Sequence, residues 1–186
     1  MANKDAAFGL KAIGKVGQNR DNQGLSEYSI AANATAIYQW DPVEMLATGT
    51  VGVAAATDVL IGSLNGVFYT DSANSKPTWA NHLAASNTAT DIVGFVSDDP
   101  YERFEIQSAG TVNQTNIGNC ADIVYAAGGS HDYVSGVEIS GTMAAAAAQL
   151  KIIGVSKDPD NDELGAANAN VVVIINEHFL KQTAGI

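Results

Sequence analysis

The chain of 186 residues carries 20 acidic side chains against 9 lysines and arginines, a formal net charge of −11 at pH 7. Proteins bind nucleic acids and anionic membranes through cations that neutralise phosphates, so this balance argues against both as partners. The length suits one domain with a sizeable core, and a single cysteine cannot form an internal disulfide, so packing alone must stabilise the fold.

Residues 1–25 are predicted to form an extended N-terminal arm on a body of residues 26–186. The arm has no apolar run of the length that a signal peptide needs, which favours synthesis in the cytoplasm. Its first twenty residues have a local charge of +3, because four basic residues there are opposed only by Asp5. Those four are Lys4, Lys11, Lys15 and Arg20. Two interpretations stay open: a strap on its own domain, or an arm that becomes ordered on a neighbouring subunit.

The next block, residues 26–71, is a series of short apolar runs separated by turn residues. Residues 37–40 lead into Asp41-Pro42, a pair that suits a type I turn, and residues 43–47 can return as a strand. Farther on, Asn65-Gly66 predicts a hairpin, because both residues tolerate positive φ. Short strands at this spacing are typical of a sandwich or a small barrel.

Residues 72–91 are predicted to form a long polar loop that contains Trp79 and His82, and loops of this length usually make contacts. Strands are expected at residues 91–97 and 102–106, and the second should place Phe104 and Ile106 on one face.

In the last third, residues 120–126 are predicted to form a central strand, and the alanine-rich residues 143–148 a short helix. Residues 150–155 fit a buried strand. Residues 171–176 consist of five consecutive β-branched residues and Asn176, a pattern that indicates a strand in the middle of a sheet. The sequence therefore predicts an all-β fold, a single compact β-barrel or β-sandwich domain.

The residues that carry chemistry are scattered. His82, His131 and His178 lack partners at metal-ligand spacing. The acidic segment 158–163 invites a calcium hypothesis, but Glu163 and Ala169 occupy the places where an EF-hand needs Gly and Glu, which favours a solvated turn. The motifs of nucleophilic, phosphoryl, hydride and zinc chemistry are absent from the sequence. We expect no catalytic residue, no cofactor and no bound metal.

Four stretches carry a resemblance: MANKDAAFGLKAIGKVG, IYQWDPVEMLATG, IGSLNGVFYTD and ANANVVVIINEHFL. With these the chain resembles the decoration, or cement, proteins of tailed-bacteriophage heads, although it is longer than the smallest of them. The resemblance implies a β-barrel or sandwich with a non-enzymatic role in the virion. It also implies a place on the capsid exterior in contact with the major capsid protein, and oligomers that are often trimers. We expect a homotrimer, with a dimer as the alternative.

Apolar and aromatic anchors supply most interface energy, and exposed cations steer association. The residues expected to contact the capsid or another partner are Phe8, Leu10, Lys11, Ile13, Lys15, Trp79 and His82. Two other classes stay open. A carbohydrate- or receptor-binding β module would stack sugars on Trp40, Trp79 and the tyrosines, and a divergent enzyme would use loop carboxylates.

Overall fold

The computed structural model describes residues 2–17 and 24–182, which form thirteen strands and two short 3-10 turns. The strands are β1 Lys11–Lys15, β2 Ser26–Ser29, β3 Pro42–Met45, β4 Val51–Val53, β5 Leu60–Asp71, β6 Lys76–Ala80, β7 Val93–Ser97, β8 Glu102–Gln107, β9 Cys120–Ala121, β10 Ile123–Val124, β11 Glu138–Ile139, β12 Leu150–Val155 and β13 Asn170–Ile175. The 3-10 turns are Gln114–Asn116 and Phe179–Lys181. The all-β prediction is confirmed as a sandwich of antiparallel sheets, and these sheets stay open rather than closing into a barrel.

One sheet has five strands in the order β1-β8-β13-β12-β9. The predicted core strand lies in its middle, as β13, between β8 and β12. Val171, Val173 and Ile175 point into a core that also contains Phe104 and Ile106 of β8. The predicted shared face of those two β8 side chains is therefore confirmed.

The second sheet has six strands in the order β2-β7-β5-β3-β4, with β6 paired to the far end of β5. A separate core cluster lies beneath it, formed by Ile61, Leu64, Val67 and Val96 among others. The sheets are joined where β5 begins, since the Leu60 amide donates to the Glu177 carbonyl at 3.1 Å. Strands β10 and β11 form a separate two-stranded ribbon.

The predicted hairpin at Asn65-Gly66 is wrong, because β5 runs through this dipeptide without turning. The pairing with β7 instead shifts register between Leu64 and Gly66, so the conformational freedom of the pair is used for a β-bulge. The hairpin turn follows at residues 71–76. There the Asp71 carboxylate accepts the Ala73 amide at 2.8 Å.

The turn predicted at Asp41-Pro42 lies slightly earlier in the chain, at residues 38–41. The Asp41 amide donates to the Tyr38 carbonyl at 3.1 Å, and Trp40 has a φ of 65°. The Asp41 carboxylate also accepts the Tyr38 amide at 2.7 Å, which closes the turn from both sides. Pro42 then starts β3, a position that costs the ladder no donor.

Two predictions in the last third are corrected. Residues 143–148 are not helical. Six residues nucleate a helix poorly, and Ala144 instead exchanges backbone hydrogen bonds with Cys120 at 2.8 and 3.0 Å. Residues 120–126 form two short strands, and the first, β9, is an edge strand rather than a central one.

Residues 3–15 of the predicted N-terminal arm pack against the body and do not extend away from it. Leu10 is fully buried in the core of the five-stranded sheet, and β1 pairs with β8. The Asn3 side chain donates to the Glu163 and Ala167 carbonyls at 3.0 and 2.9 Å. Of the two interpretations that the sequence left open, the structure agrees with the first for these residues: they form a strap on their own domain. Arg20, which contributes to the predicted charge of the arm, lies outside the described residues.

Candidate binding surface

Three aromatic rings lie together on the outer face of the six-stranded sheet. Trp79 of β6 is directly opposite Phe68 of β5, and their ring centroids are 4.8 Å apart. Phe95 of β7 also stacks against Trp79, with their ring centroids 5.1 Å apart. We call these three residues the aromatic platform. Trp79 is 69% exposed, the most open of the large apolar side chains in the described chain.

Strand alternation explains why these rings face outward. Val67 precedes Phe68 in β5, and Val96 follows Phe95 in β7. Both valines belong to the buried core. Successive side chains point to opposite faces of a sheet, so both phenylalanines must point away from that core. The platform is therefore carried by three adjacent paired strands.

A cleft of about 420 Å³ adjoins the platform, with Leu25, Val67, Trp79 and Phe95 in its lining. Gly66 also lines it, and a Cβ atom there would lie 3.0 Å from the Ala80 carbonyl oxygen. The missing side chain in the bulge thus helps to keep the cleft open.

The amide side chains around the cleft are already engaged within the protein. Asn65 donates to the Ser97 hydroxyl at 3.1 Å. Asn81 donates to the Asp132 carbonyl at 3.2 Å and contacts His82 Nδ1 through its oxygen at 3.1 Å. Both amides thus already donate hydrogen bonds within the protein, and most of the other residues that line the cleft are apolar.

The predicted contact residue His82 lies within an aromatic stack. Its ring is 3.8 Å from Tyr133, centroid to centroid, and nearly parallel to it, and Tyr38 is 6.3 Å away. Burial lowers the pKa of His82, which favours the neutral ring. The side chain therefore holds the segment around Tyr133 against the body rather than projecting toward a partner.

The predicted contact residues near the N-terminus are spread over different environments. Leu10 is fully buried and cannot touch a partner while β1 is in place, which corrects its prediction. Phe8 is half-buried, whereas Ile13 is 38% exposed. Lys11 is exposed, with its Nζ 5.5 Å from the centroid of the Trp40 ring.

Lys15 is half-buried, and its Nζ lies 2.7 Å from Asp99 Oδ2. This hydrogen-bonded ion pair lowers the pKa of Asp99. The structure therefore does not gather the seven predicted residues into one surface, and only Trp79 among them belongs to the aromatic platform.

The acidic segment 158–163 is used to hold the N-terminus. Lys4 forms an ion pair with Asp160, and the Asn161 side chain donates to the Lys4 carbonyl at 2.7 Å. Across residues 2–17 and 24–182, no three His, Cys, Asp or Glu side chains are grouped as a metal ion would need. The same part of the chain contains no helix of the length and apolarity needed to span a membrane.

The sequence analysis did not identify Phe68, Phe95 and Leu25 as surface residues of this site. The alternation of Val67 with Phe68 and of Phe95 with Val96 was the available signal, but it can be used only when β5 is known to continue through Asn65-Gly66. Comparison with models of protein families, with curated proteins and with solved structures gave no match to this chain.

A buried carboxyl group beneath β1 provides a test of this part of the structure. Glu102 is 3% exposed and accepts the Gly14 amide at 3.2 Å. Burial raises its pKa from 4.5 to about 7, although the Gly14 hydrogen bond and the Lys15 charge act in the opposite direction. Between pH 4.5 and about 7, Glu102 therefore takes up a proton when the protein folds. The contribution of Glu102 to stability is therefore largest below pH 4.5 and falls until about pH 7.

We expect Glu102→Gln to gain stability relative to the parent protein as the pH rises from 4.5 to 8, by about 3 kcal/mol. The glutamine can still accept the Gly14 amide and stays neutral at every pH. Urea titrations of both proteins across this range measure the effect, and the comparison cancels the other titrating groups. A difference in unfolding free energy that does not change with pH would contradict the assignment.

Proposed function

We propose that this protein is a structural component of a phage virion that binds the outside of the capsid shell and stabilises it. Its partner is the major capsid protein, and its role is adhesion rather than catalysis. The observation that carries the proposal is the aromatic platform, in which Trp79 is 69% exposed and contacts both Phe68 and Phe95. The resemblance to capsid decoration proteins supplies the partner.

The platform suits a stable contact with another protein. Tryptophan is among the residues that contribute most to interface energy, and it loses little conformational entropy when it is buried. Here the ring is already held by its two aromatic neighbours and by strand pairing, so little further ordering is required. An apolar side chain of the shell would enter the cleft beside Trp79.

Several copies of one contact would strengthen attachment to a symmetric shell, because a second contact made by the same oligomer is effectively intramolecular. This is the physical reason for the homotrimer, with a dimer as the alternative. Both stay predictions.

A carbohydrate- or receptor-binding module is the second candidate, since an exposed Trp79 ring can also stack on a sugar. Sugar sites, however, combine such a ring with free hydrogen-bonding groups. The Asn65 and Asn81 amides beside the cleft already donate within the protein. The geometry therefore favours an apolar side chain as the occupant.

Trp79→Ala is expected to weaken binding to the shell at least tenfold, because truncation of a central aromatic anchor typically costs 2 kcal/mol or more. The measurement is co-sedimentation of purified protein with expanded shells of the encoding phage that lack this protein. Shell melting followed in the same mixtures reports stabilisation.

Tyr101→Ala is the matched control, because Tyr101 is 63% exposed and contacts Lys181 away from the platform. Its shell affinity should equal that of the parent. Equal affinity of the Trp79 variant would show that the platform is not the contact, and failure of the parent protein to bind shells would overturn the function. Saturable glycan binding that is lost in Trp79→Ala would favour the second candidate.

A further inference from the structure

A pocket of about 370 Å³ lies beside β1, away from the aromatic platform in the sheet order. Ile13, Gly14, Lys15, Gly17 and Arg103 line it. It is thus formed by the edge strand of the five-stranded sheet and by its neighbour β8.

A bulge in β1 opens this pocket. The pairing with β8 shifts register between Ala12 and Gly14, which places Gly14 opposite Arg103. Gly14 has a φ of 148°, and a Cβ atom on it would lie 3.3 Å from Arg103 Nη2. A larger residue would therefore cover the guanidinium, whereas glycine leaves the space beside it open.

Arg103 forms no ion pair with any of the described residues, although the protein is strongly acidic. Its Nε is buried without a hydrogen-bond partner among the described residues. The two ion pairs among the described residues join Lys4 to Asp160 and Lys15 to Asp99, so neither includes Arg103. A buried N–H that lacks an acceptor costs free energy, so the hydrogen-bonding capacity of this guanidinium is not fully used within the described residues.

We propose that this pocket binds a carboxylate group, supplied by an aspartate or glutamate side chain of a partner protein. The guanidinium fork matches the two oxygens of a carboxylate. Lys15 adds a second cation whose position is fixed by Asp99. Asp99 also limits the net positive charge at the site, which favours a singly charged carboxylate over a doubly charged phosphate. This site is independent of the proposed attachment to a capsid.

The chain contains only two arginines, Arg20 and Arg103, so the Nε–H signal of Arg103 can be assigned by NMR with one variant. Sodium acetate is titrated into the full-length protein in a zwitterionic buffer, with sodium chloride and sodium phosphate at matched ionic strength as separate arms. Acetate should shift the Arg103 Nε–H and Gly14 amide signals to saturation. Chloride should produce no saturating shift, and phosphate should bind more weakly than acetate.

Arg103→Gln should weaken acetate binding at least tenfold at the Gly14 amide signal, since the charge-assisted bonds are lost. Lys151→Gln is the matched control, because it removes the same charge from an exposed position on β12 and should bind like the parent. Arg103→Lys keeps the charge without the fork and should fall between them, which also covers the case that the glutamine variant does not fold. Unchanged binding in the folded Arg103 variants, or tighter binding of phosphate than of acetate, would overturn the proposal.

Discussion

Val173→Asp is expected to destabilise the protein by about 5 kcal/mol, which would leave little of the stability of an ordinary domain. Val173 is fully buried in the middle strand of the five-stranded sheet. Its paired neighbours are Phe104 on β8 and Ile152 on β12, which are also fully buried. A carboxylate at this position would lack both water and a counter-ion.

Ile153→Asp is the control for this experiment. It introduces the same charge on the adjacent strand β12, at a side chain that is 37% exposed, and should cost less than about 1 kcal/mol. Urea denaturation of the two variants and the parent gives the free energies. If both variants unfold at the same urea concentration as the parent, β13 is not the core strand.

The fold class and the core strand were predictable because both depend on local pattern. An uninterrupted run of β-branched residues favours a strand, and in β13 Val171, Val173 and Ile175 are buried while Val172 and Ile174 are half-buried. The predicted bounds of residues 150–155 match β12, but Lys151 and Ile153 are exposed, so this strand is buried on one face only.

The shape of the six-stranded sheet was not predictable, because one dipeptide permits two structures. Asn65-Gly66 can form a hairpin turn or a bulge, and the choice depends on whether a partner strand can accommodate the extra residue. Strand β7 does so, although it lies about thirty residues later in the sequence. A local pattern cannot contain that information.

This error hid the aromatic platform. With β5 broken at Asn65-Gly66 and residues 72–91 taken as a loop, Phe68, Trp79 and Phe95 had no common surface. Trp79 was selected for its residue type alone. Its neighbours emerge only from the register that places Phe68 opposite Trp79 and Phe95 opposite Gly66.

The N-terminal segment was misjudged for a different reason. Glycines and cations separated by single apolar residues are typical of flexible arms. No local sequence pattern shows that the Leu10 side chain is buried in the core. Its amide donates to the Trp40 carbonyl at 2.8 Å, and its side chain is enclosed by residues more than ninety positions away, such as Phe104. One buried leucine and a short paired strand are enough to make this segment part of the body.

Leu10→Ala is therefore expected to destabilise the protein by about 3 kcal/mol, which corresponds to a decrease in Tm of about 6–12 °C for a chain of this size. The leucine is fully buried, so the substitution leaves a cavity that the surrounding β-sheet can only partly fill. Deletion of residues 2–17 should be more severe, because it also removes the pairing of β1 with β8 and exposes the core on that side.

Thermal melts of the two variants measure these effects, with Ile13→Ala as the control. Ile13 lies in the same strand but is 38% exposed, so its truncation should cost less than about 1 kcal/mol. The free-arm hypothesis predicts the opposite result, a body whose Tm is unchanged by the deletion and a terminus that proteases remove rapidly from the native protein. A deletion variant with the Tm of the parent would restore that hypothesis. A large loss would establish that the terminus is a strand of the body, where only its exposed side chains remain available for contacts with a partner.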